Sequence, residues 1–317
     1  MWVPPLLTRP HPFISLPHHM TKPGLTQLLR PRTPEEFFPQ LQANQPFIVD
    51  KVTALDALTT LPFLQSLQTL FQVWPYSVQA HLPEVADEAS AIEVSTTDAR
   101  KLFSNGMGLM FEHAERISAE LTAWLEAIRI DLGLSALTQS RCLLYATPDG
   151  KGTAPHFDQN ANFVLQLHGT KTWWLAPNTH VCNPLTRHTM GLPVDAELQT
   201  YCELPMPTSL PQKSTPIVLS PGTLLFVPRG TWHSTEAQGD ALSLNFTYTA
   251  PTWLDLFTAA LRSRLALSPE WRATANGVAN PMHRDAAQET FDQLLLKLTD
   301  DLPNWRAAEI LEVTENS

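Results

Sequence analysis

"TAPHFDQNANFVLQLHGTKTWW", residues 153–174, sets His156 two residues before Asp158, runs through an apolar segment, reaches Gly169 and continues through Lys171. Side chains of a strand alternate faces with a period of two, so His156 and Asp158 point to one side. The apolar run and the glycine predict a β-hairpin with Lys171 on its returning strand.

A further histidine lies in "SPGTLLFVPRGTWHS", residues 220–234, where a Pro-Gly turn feeds an apolar strand that ends at His233. Two imidazoles and one carboxylate on one face of a six-coordinate ion leave three positions open, the arrangement of non-haem iron(II) oxygenases. His-x-Asp alone occurs by chance in many chains, and a lone core histidine is commoner than a ligand. Its strand setting, the distant His233 and the amine of Lys171 together carry the inference.

Outward from this stretch, residues 140–250 read as short strands: "RCLLYAT", "NFVLQLHG", "KTWWLAP", "PIVLS", "TLLFVP" and "ALSLNFTYT". Repeated short strands separated by turn residues predict a sandwich or barrel. Before them, residues 1–31 read as an extended, proline-broken arm, and Thr33-Pro34-Glu35-Glu36 as a helix N-terminus. "QPFIVD" (45–50) reads as a strand, while 54–71 and, more regularly, 114–132 carry apolar residues at helical spacing. The residues between Pro177 and Pro216 form a long connection, either a lid or an ordered surface excursion. After Thr252 the pattern is helical and too short for an independent core, which predicts packing on the β domain or, preferably, on a second copy. The expected division is 1–139 as arm, helices and strands packed on the core, 140–250 as catalytic core, and 251–317 as a dimerising helical segment.

The chain of 317 residues is 43% hydrophobic and 16% charged, enough apolar matter for one large core. Its 21 Lys and Arg against 31 Asp and Glu give a net charge of −10, which disfavours a nucleic-acid partner. Three cysteines, Cys142, Cys182 and Cys202, form no C-x-x-C pair and fit a reducing, cytoplasmic setting. The proline-broken start resembles no signal peptide, and no apolar run reaches the roughly 18 residues of a membrane span.

The two motifs resemble those of the JmjC/cupin-type Fe(II)- and 2-oxoglutarate-dependent oxygenases, the family of the asparaginyl hydroxylase of hypoxia-inducible factor and of the ribosomal oxygenases. Thr153, His156, Asp158, Asn162 and Lys171 match its first motif position by position. Pro221, Gly222, Leu224, Pro228, Trp232 and His233 mirror its distal one, and Asn245 in "SLNFTY" its later strand asparagine. The match is specific over 153–174 and 220–248, looser before, and only architectural after 250.

The resemblance implies a double-stranded β-helix (jelly-roll) core with flanking and C-terminal helices. It also implies His156, Asp158 and His233 as iron ligands and dioxygen as the second cosubstrate. 2-Oxoglutarate would chelate the iron and send its far carboxylate to Lys171 and the Thr153 hydroxyl, with Asn162 and Asn245 bonding near the metal-bound end. One departure stands out: the family's tyrosine on an earlier strand has no counterpart in "GMGLMFEHAE", which offers Phe111. Tyr145 lies on the strand before the motif. Trp173 and Trp174 read as packing residues, and His113, His168, His180 and His188 as surface histidines.

The activity implied is hydroxylation of a peptide or protein side chain, with succinate and CO2 as co-products. A small-molecule or natural-product hydroxylase is the alternative. A metal-dependent cupin that does not use 2-oxoglutarate and a non-enzymatic binding cupin rank below both, as does histone demethylation, for which no chromatin-reading module is present.

Overall fold

The computed structural model describes residues 22–53, 56–82, 90–210 and 214–315. Most of the predicted arm, residues 1–21, lies outside them; its end is a helical turn, α1 (Leu25–Leu28), rather than extended chain. Helix α2 (Pro34–Gln42) starts as its capping box dictates, Thr33 and Glu36 each satisfying the other's backbone N–H. Strand β1 (Phe47–Val49) follows. The helical spacing of 54–71 resolves into α3 (Asp56–Thr59), a 3-10 turn at Pro62–Leu64 and α4 (Leu67–Val73), because Pro62 cannot continue α3.

Strands β2 (Val78–His81) and β3 (Ile92–Val94), helix α5 (Thr96–Ser104) and strand β4 (Gly108–Phe111) come next. Residues 114–132 divide at Ser118, whose hydroxyl accepts the Leu121 N–H and caps α6 (Ala119–Asp131). Then come β5 (Gln139–Thr147), β6 (Gly152–Phe157), β7 (Ala161–Ala176), β8 (His188–Thr189), α7 (Ala196–Thr200), β9 (Thr215–Leu219), β10 (Leu224–Val227) and β11 (Trp232–Thr249). Helices α8 (Trp253–Leu265), α9 (Arg284–Asp301) and α10 (Ala307–Glu315) close the described chain.

The strands join in one antiparallel sheet of eleven, ordered β1-β10-β7-β11-β5-β4-β2-β3, with β6 and β8 on one side branch and β9 on another. Its two long strands, β7 and β11, run the length of both halves and hold the jelly roll together. The predicted hairpin is therefore replaced by another pairing. β7 passes through Gly169 without reversing, and β6 pairs not with β7 but with β11, which lies between them.

The apolar run of β7 is continuous because both of its faces are buried. Phe163 and Leu165 enter the main core with Phe226 and Leu224, while Val164 faces a second cluster with Leu225, Val227 and Trp173. Phe37 of α2 seals the main core, its ring 5.0 Å from Phe226, 5.5 Å from Phe47 and 5.6 Å from Phe163. Burying each such ring contributes about 1.5–3 kcal/mol.

Within the connection after β7, the described residues 177–210 fold onto the sheet. Val181 and Leu198 pack with Phe157, Ala176 and Trp232, flanked by Met190, Val194 and Tyr201. His188 belongs to this cluster, 5% exposed and close to Phe157 and Trp232, so it is a core histidine rather than a surface one. Among the described residues no helix is long and apolar enough to cross a membrane, and all three cysteines are free.

Candidate metal and cosubstrate site

Two adjacent strands build the metal end. His233 opens β11 directly opposite His156 on β6, which brings their ring centroids to 4.1 Å. Asp158, just past β6, reaches both: Oδ1 lies 3.9 Å from His156 Nε2 and Oδ2 3.7 Å from His233 Nε2. Among the described residues His156, Asp158 and His233 form the one group of at least three side chains converging as a metal site would require, one ligand atom from each lying within 4.8 Å of the others.

The tautomers suit a metal. Nδ1 of His156 lies 2.7 Å from the Ala154 carbonyl, and Nδ1 of His233 lies 2.9 Å from the Thr231 carbonyl. A carbonyl only accepts, so each Nδ1 carries a proton, and in the neutral ring the Nε2 lone pair turns toward the cluster.

Register changes decide which side chains share the inner face. Between His156 and Thr153 the chain bulges: two residues, Ala154 and Pro155, oppose the single Ser234 of β11. Thr153, an odd number of positions from His156, thereby faces the same cavity. Gly152 lets β6 approach closely, since a Cβ there would sit 1.7 Å from the Thr235 carbonyl oxygen.

A second irregularity lies around Gly169, where the β7–β11 register shifts. Gly169 takes φ +65°, and a Cβ would meet the Asp240 carbonyl at 2.2 Å, so only glycine fits. Asn162 before this bulge and Lys171 after it would face opposite sides under strict alternation; with it, both line one cavity.

That cavity, about 150 Å³, is walled by the triad, Thr153, Asn162, Lys171, Asn245, Tyr145, Trp173, Thr235 and Ser243, among others. Lys171 is 4% exposed and donates to Thr147 Oγ1 at 2.8 Å. Burial pulls its ammonium down from the ordinary lysine range to about 8. The Thr153 and Thr235 hydroxyls lie 2.9 Å apart, and Asn162 accepts from Thr247 at 2.7 Å. Within the described residues, Asn245 Oδ1 and Trp173 Nε1 are buried without a hydrogen-bond partner. Native interiors rarely leave such groups unpaired, so a polar occupant fits the cavity. Two imidazoles and a carboxylate at one end, with a buried amine at the other, match Fe(II) and a dicarboxylate cosubstrate in donor chemistry.

Sequence reasoning therefore named residues that the fold brings together: His156, Asp158, His233, Thr153, Asn162, Lys171 and Asn245 all line the cavity. Phe111, where a tyrosine was sought, is buried in the main core, and its neighbour Met110 lines the cavity instead. Tyr145, opposite Met110 on β5, brings a phenol to the wall. Trp173 is inward and stacked at 20° on His233, while Trp174 is half-buried.

The reading missed Thr147, Thr235 and Arg187. Thr147 and Thr235 carried a signal in strand alternation once Leu144 and His233 were oriented. Arg187 carried none, because it reaches the site from the excursion: its Nε lies 3.2 Å from Asp158 Oδ1.

A JmjC domain model matches residues 119–256. The chain is 30% identical over 267 residues to the Uncharacterized protein YxbC of Bacillus subtilis (strain 168), covering 81% of this chain and 80% of that one. It is also 30% identical over 220 residues to Ribosomal oxygenase 1 of Gallus gallus, covering 63% of this chain and 34% of that protein, so it spans about a third of that relative's length. The crystal structure of Escherichia coli ribosomal oxygenase YcfD superposes with a TM-score of 0.51 at 15% identity, over 83% of this chain and 67% of that chain, a likeness of fold. The chain belongs to the JmjC family, Fe(II)- and 2-oxoglutarate-dependent oxygenases built on a double-stranded β-helix.

Proposed function

We propose that the protein hydroxylates a side chain of a protein or peptide, converting 2-oxoglutarate to succinate and CO2. The observation that carries this reading is the single cavity shared by the metal triad and the buried Lys171. When bound, the iron and 2-oxoglutarate supply the activation of dioxygen. His156, Asp158 and His233 would hold the metal, which would bind cosubstrate and dioxygen. Lys171 pairs with the far carboxylate, helped by the Thr153 hydroxyl and the Tyr145 phenol, while Asn162 and Asn245 orient the end that meets the metal. The apolar wall of Val164, Leu225 and Val227 behind Trp173 keeps water from that end.

A protein substrate is favoured by the similarity to ribosomal oxygenase 1 and by a second cleft beside the first. Tyr76, Ser77, Gln79 and Glu93 line it, and Met110 and Glu112 belong to its wall and to that of the cavity, so the two lie side by side. Incubation with Fe(II), 2-oxoglutarate and a peptide library derived from cellular proteins, read by mass spectrometry, should show succinate and the gain of one oxygen on a peptide. Succinate release driven only by small metabolites would transfer the reading to small-molecule hydroxylation. Failure to bind 2-oxoglutarate without oxygen would remove it.

The same reading divides the chain at about residues 139 and 250 and places it in the cytoplasm, consistent with three free cysteines. It also makes α8–α10 a homodimer interface. These helices clasp one another through Arg264 and Asp301, 2.8 Å apart, and through Phe257 and Trp305. They leave Trp253, Leu254, Phe291 and Leu296 more than half exposed. Light scattering should give a dimer mass that Leu296→Asp reduces to the monomer.

A further inference from the structure

We infer that Arg187 is a positioning residue of the metal site, holding Asp158 as a one-oxygen ligand and making the 177–210 excursion part of that site. The inference rests on the reading of His156, Asp158 and His233 as metal ligands.

The placement of Arg187 is built by a ladder. Strand β8 pairs with β6 at His156↔Thr189 and Phe157↔His188, and one step further the same register sets Arg187 opposite Asp158. The side chain then leans into the cavity. Nε lies 3.2 Å from Asp158 Oδ1, and a terminal nitrogen donates to Thr189 Oγ1 at 2.8 Å. Both partners of the ion pair are about four-fifths covered, with side chains 19% and 18% exposed, so neither is a free surface charge.

The strand that Arg187 immediately precedes, β8, is itself fastened to the metal strands. The Met190 N–H donates to the Pro155 carbonyl, and Gly230 N–H to the Asp158 carbonyl. Arg229, just before His233, donates to the carbonyls of Pro184 and Asn183 at 2.7–3.2 Å. Behind these bonds His188 packs on Phe157 and Trp232. A guanidinium delivered by such a frame loses little freedom when it engages a carboxylate.

The consequence is a matter of counting positions. Both carboxylate oxygens face the cluster: Oδ2 lies 3.7 Å from His233 Nε2, and Oδ1 lies 3.9 Å from His156 Nε2 and, closer, 3.2 Å from Arg187 Nε. A carboxylate free to turn binds a metal through one oxygen or through both. With Oδ1 held in an ion pair by Arg187, Asp158 would offer a bound metal one oxygen, which would leave three positions of a six-coordinate ion for a chelating 2-oxo acid and dioxygen. Without Arg187 the second oxygen competes for a position the cosubstrate needs. Outer partners of this kind orient ligands, and their loss typically costs about 10–100-fold in affinity or activity.

The test uses the full chain, Co(II) and 2-oxoglutarate, without oxygen. Arg187→Met should shift the visible Co(II) absorption relative to wild type, the sign of a changed ligand set, and weaken 2-oxoglutarate binding to the Co(II)-loaded protein at least about tenfold. Arg187→Lys, which keeps the charge but not the fork, should fall between the two, and it carries the test should Arg187→Met not fold. Unchanged Co(II) spectra and unchanged 2-oxoglutarate affinity in the folded variants would overturn the inference. A wild-type protein that binds no Co(II) would instead overturn the metal reading on which it rests.

Discussion

The interior of the β-helix and the C-terminal helices are opposites. In the first, polar side chains are buried: Lys171, Asn162, Thr147 and Thr235 have partners at 2.7–2.9 Å, while Asn245 Oδ1 and Trp173 Nε1 have none among the described residues. In the second, large apolar side chains lie exposed, and α8 and α9 contain no buried residue. Each pattern violates the ordinary distribution, in which polar groups stay wet and apolar ones dry. The first departure fits a charged ligand, and the second is the surface on which the dimer proposed above rests.

The sharpest test of the interior is the triad. Asp158→Ala or His233→Ala should abolish Co(II) binding by calorimetry, beyond the roughly 10–100-fold that an outer partner contributes, with succinate formation lost alongside. Next comes packing. Phe163, fully buried against Phe37, Phe226 and Tyr248, should cost about 3–5 kcal/mol when changed to alanine. Phe291, half-exposed on α9, should cost less than about 1 kcal/mol in monomeric protein. Equal costs in denaturant titrations would erase the contrast between the two regions.

Lys171 links stability to function. Its folded-state pKa of about 8 lies below the unfolded value, so holding it charged destabilises the ligand-free fold. That cost is fully present below pH about 8 and fades as pH rises from there toward the ordinary lysine value. Lys171→Met should therefore stabilise ligand-free protein at pH 7 by about 1–3 kcal/mol in denaturant titrations, while weakening 2-oxoglutarate binding by roughly 10–100-fold. A variant destabilised at pH 7 would show that the amine serves the fold rather than a ligand.

The smallest effect expected is the pH profile of wild-type binding. A carboxylate occupant needs the protonated amine, so 2-oxoglutarate affinity should be flat below pH about 7 and fall by up to about tenfold per unit above about 8. Isothermal titration across pH 6.5–9.5 reads it; a profile still flat at the alkaline end would mean that Lys171 does not carry the bound charge.

Much of the site was legible because its chemistry is local. His156 and Asp158 share a face by strand alternation, and the Pro-Gly turn marked a strand, although that strand stops at Val227 rather than at His233, which opens the next one after the turn at Pro228–Gly230. The helix at Pro34 followed from its cap, and the apolar run at 162–167 from burial on both faces. The misreadings share one cause. A glycine in an apolar run marks either a reversal or a bulge, and at Gly169 only the partner strand decides which. His188, one histidine among several in a proline-containing connection, had nothing in its neighbours to set it apart from His180.

The sequence by itself determined which candidate ligands exist and how far apart they lie along the chain, since residue type and short-range periodicity are covalent properties. Tertiary structure decided three things that depend on contacts across the chain. It inserted β11 between β6 and β7, so that His233 meets His156. It shifted the register at two bulges, so that Thr153, Asn162 and Lys171 share one cavity despite their parity. It brought Arg187 against Asp158 through the β6–β8 ladder, a pairing set by hydrogen bonds between strands that no spacing along the chain encodes.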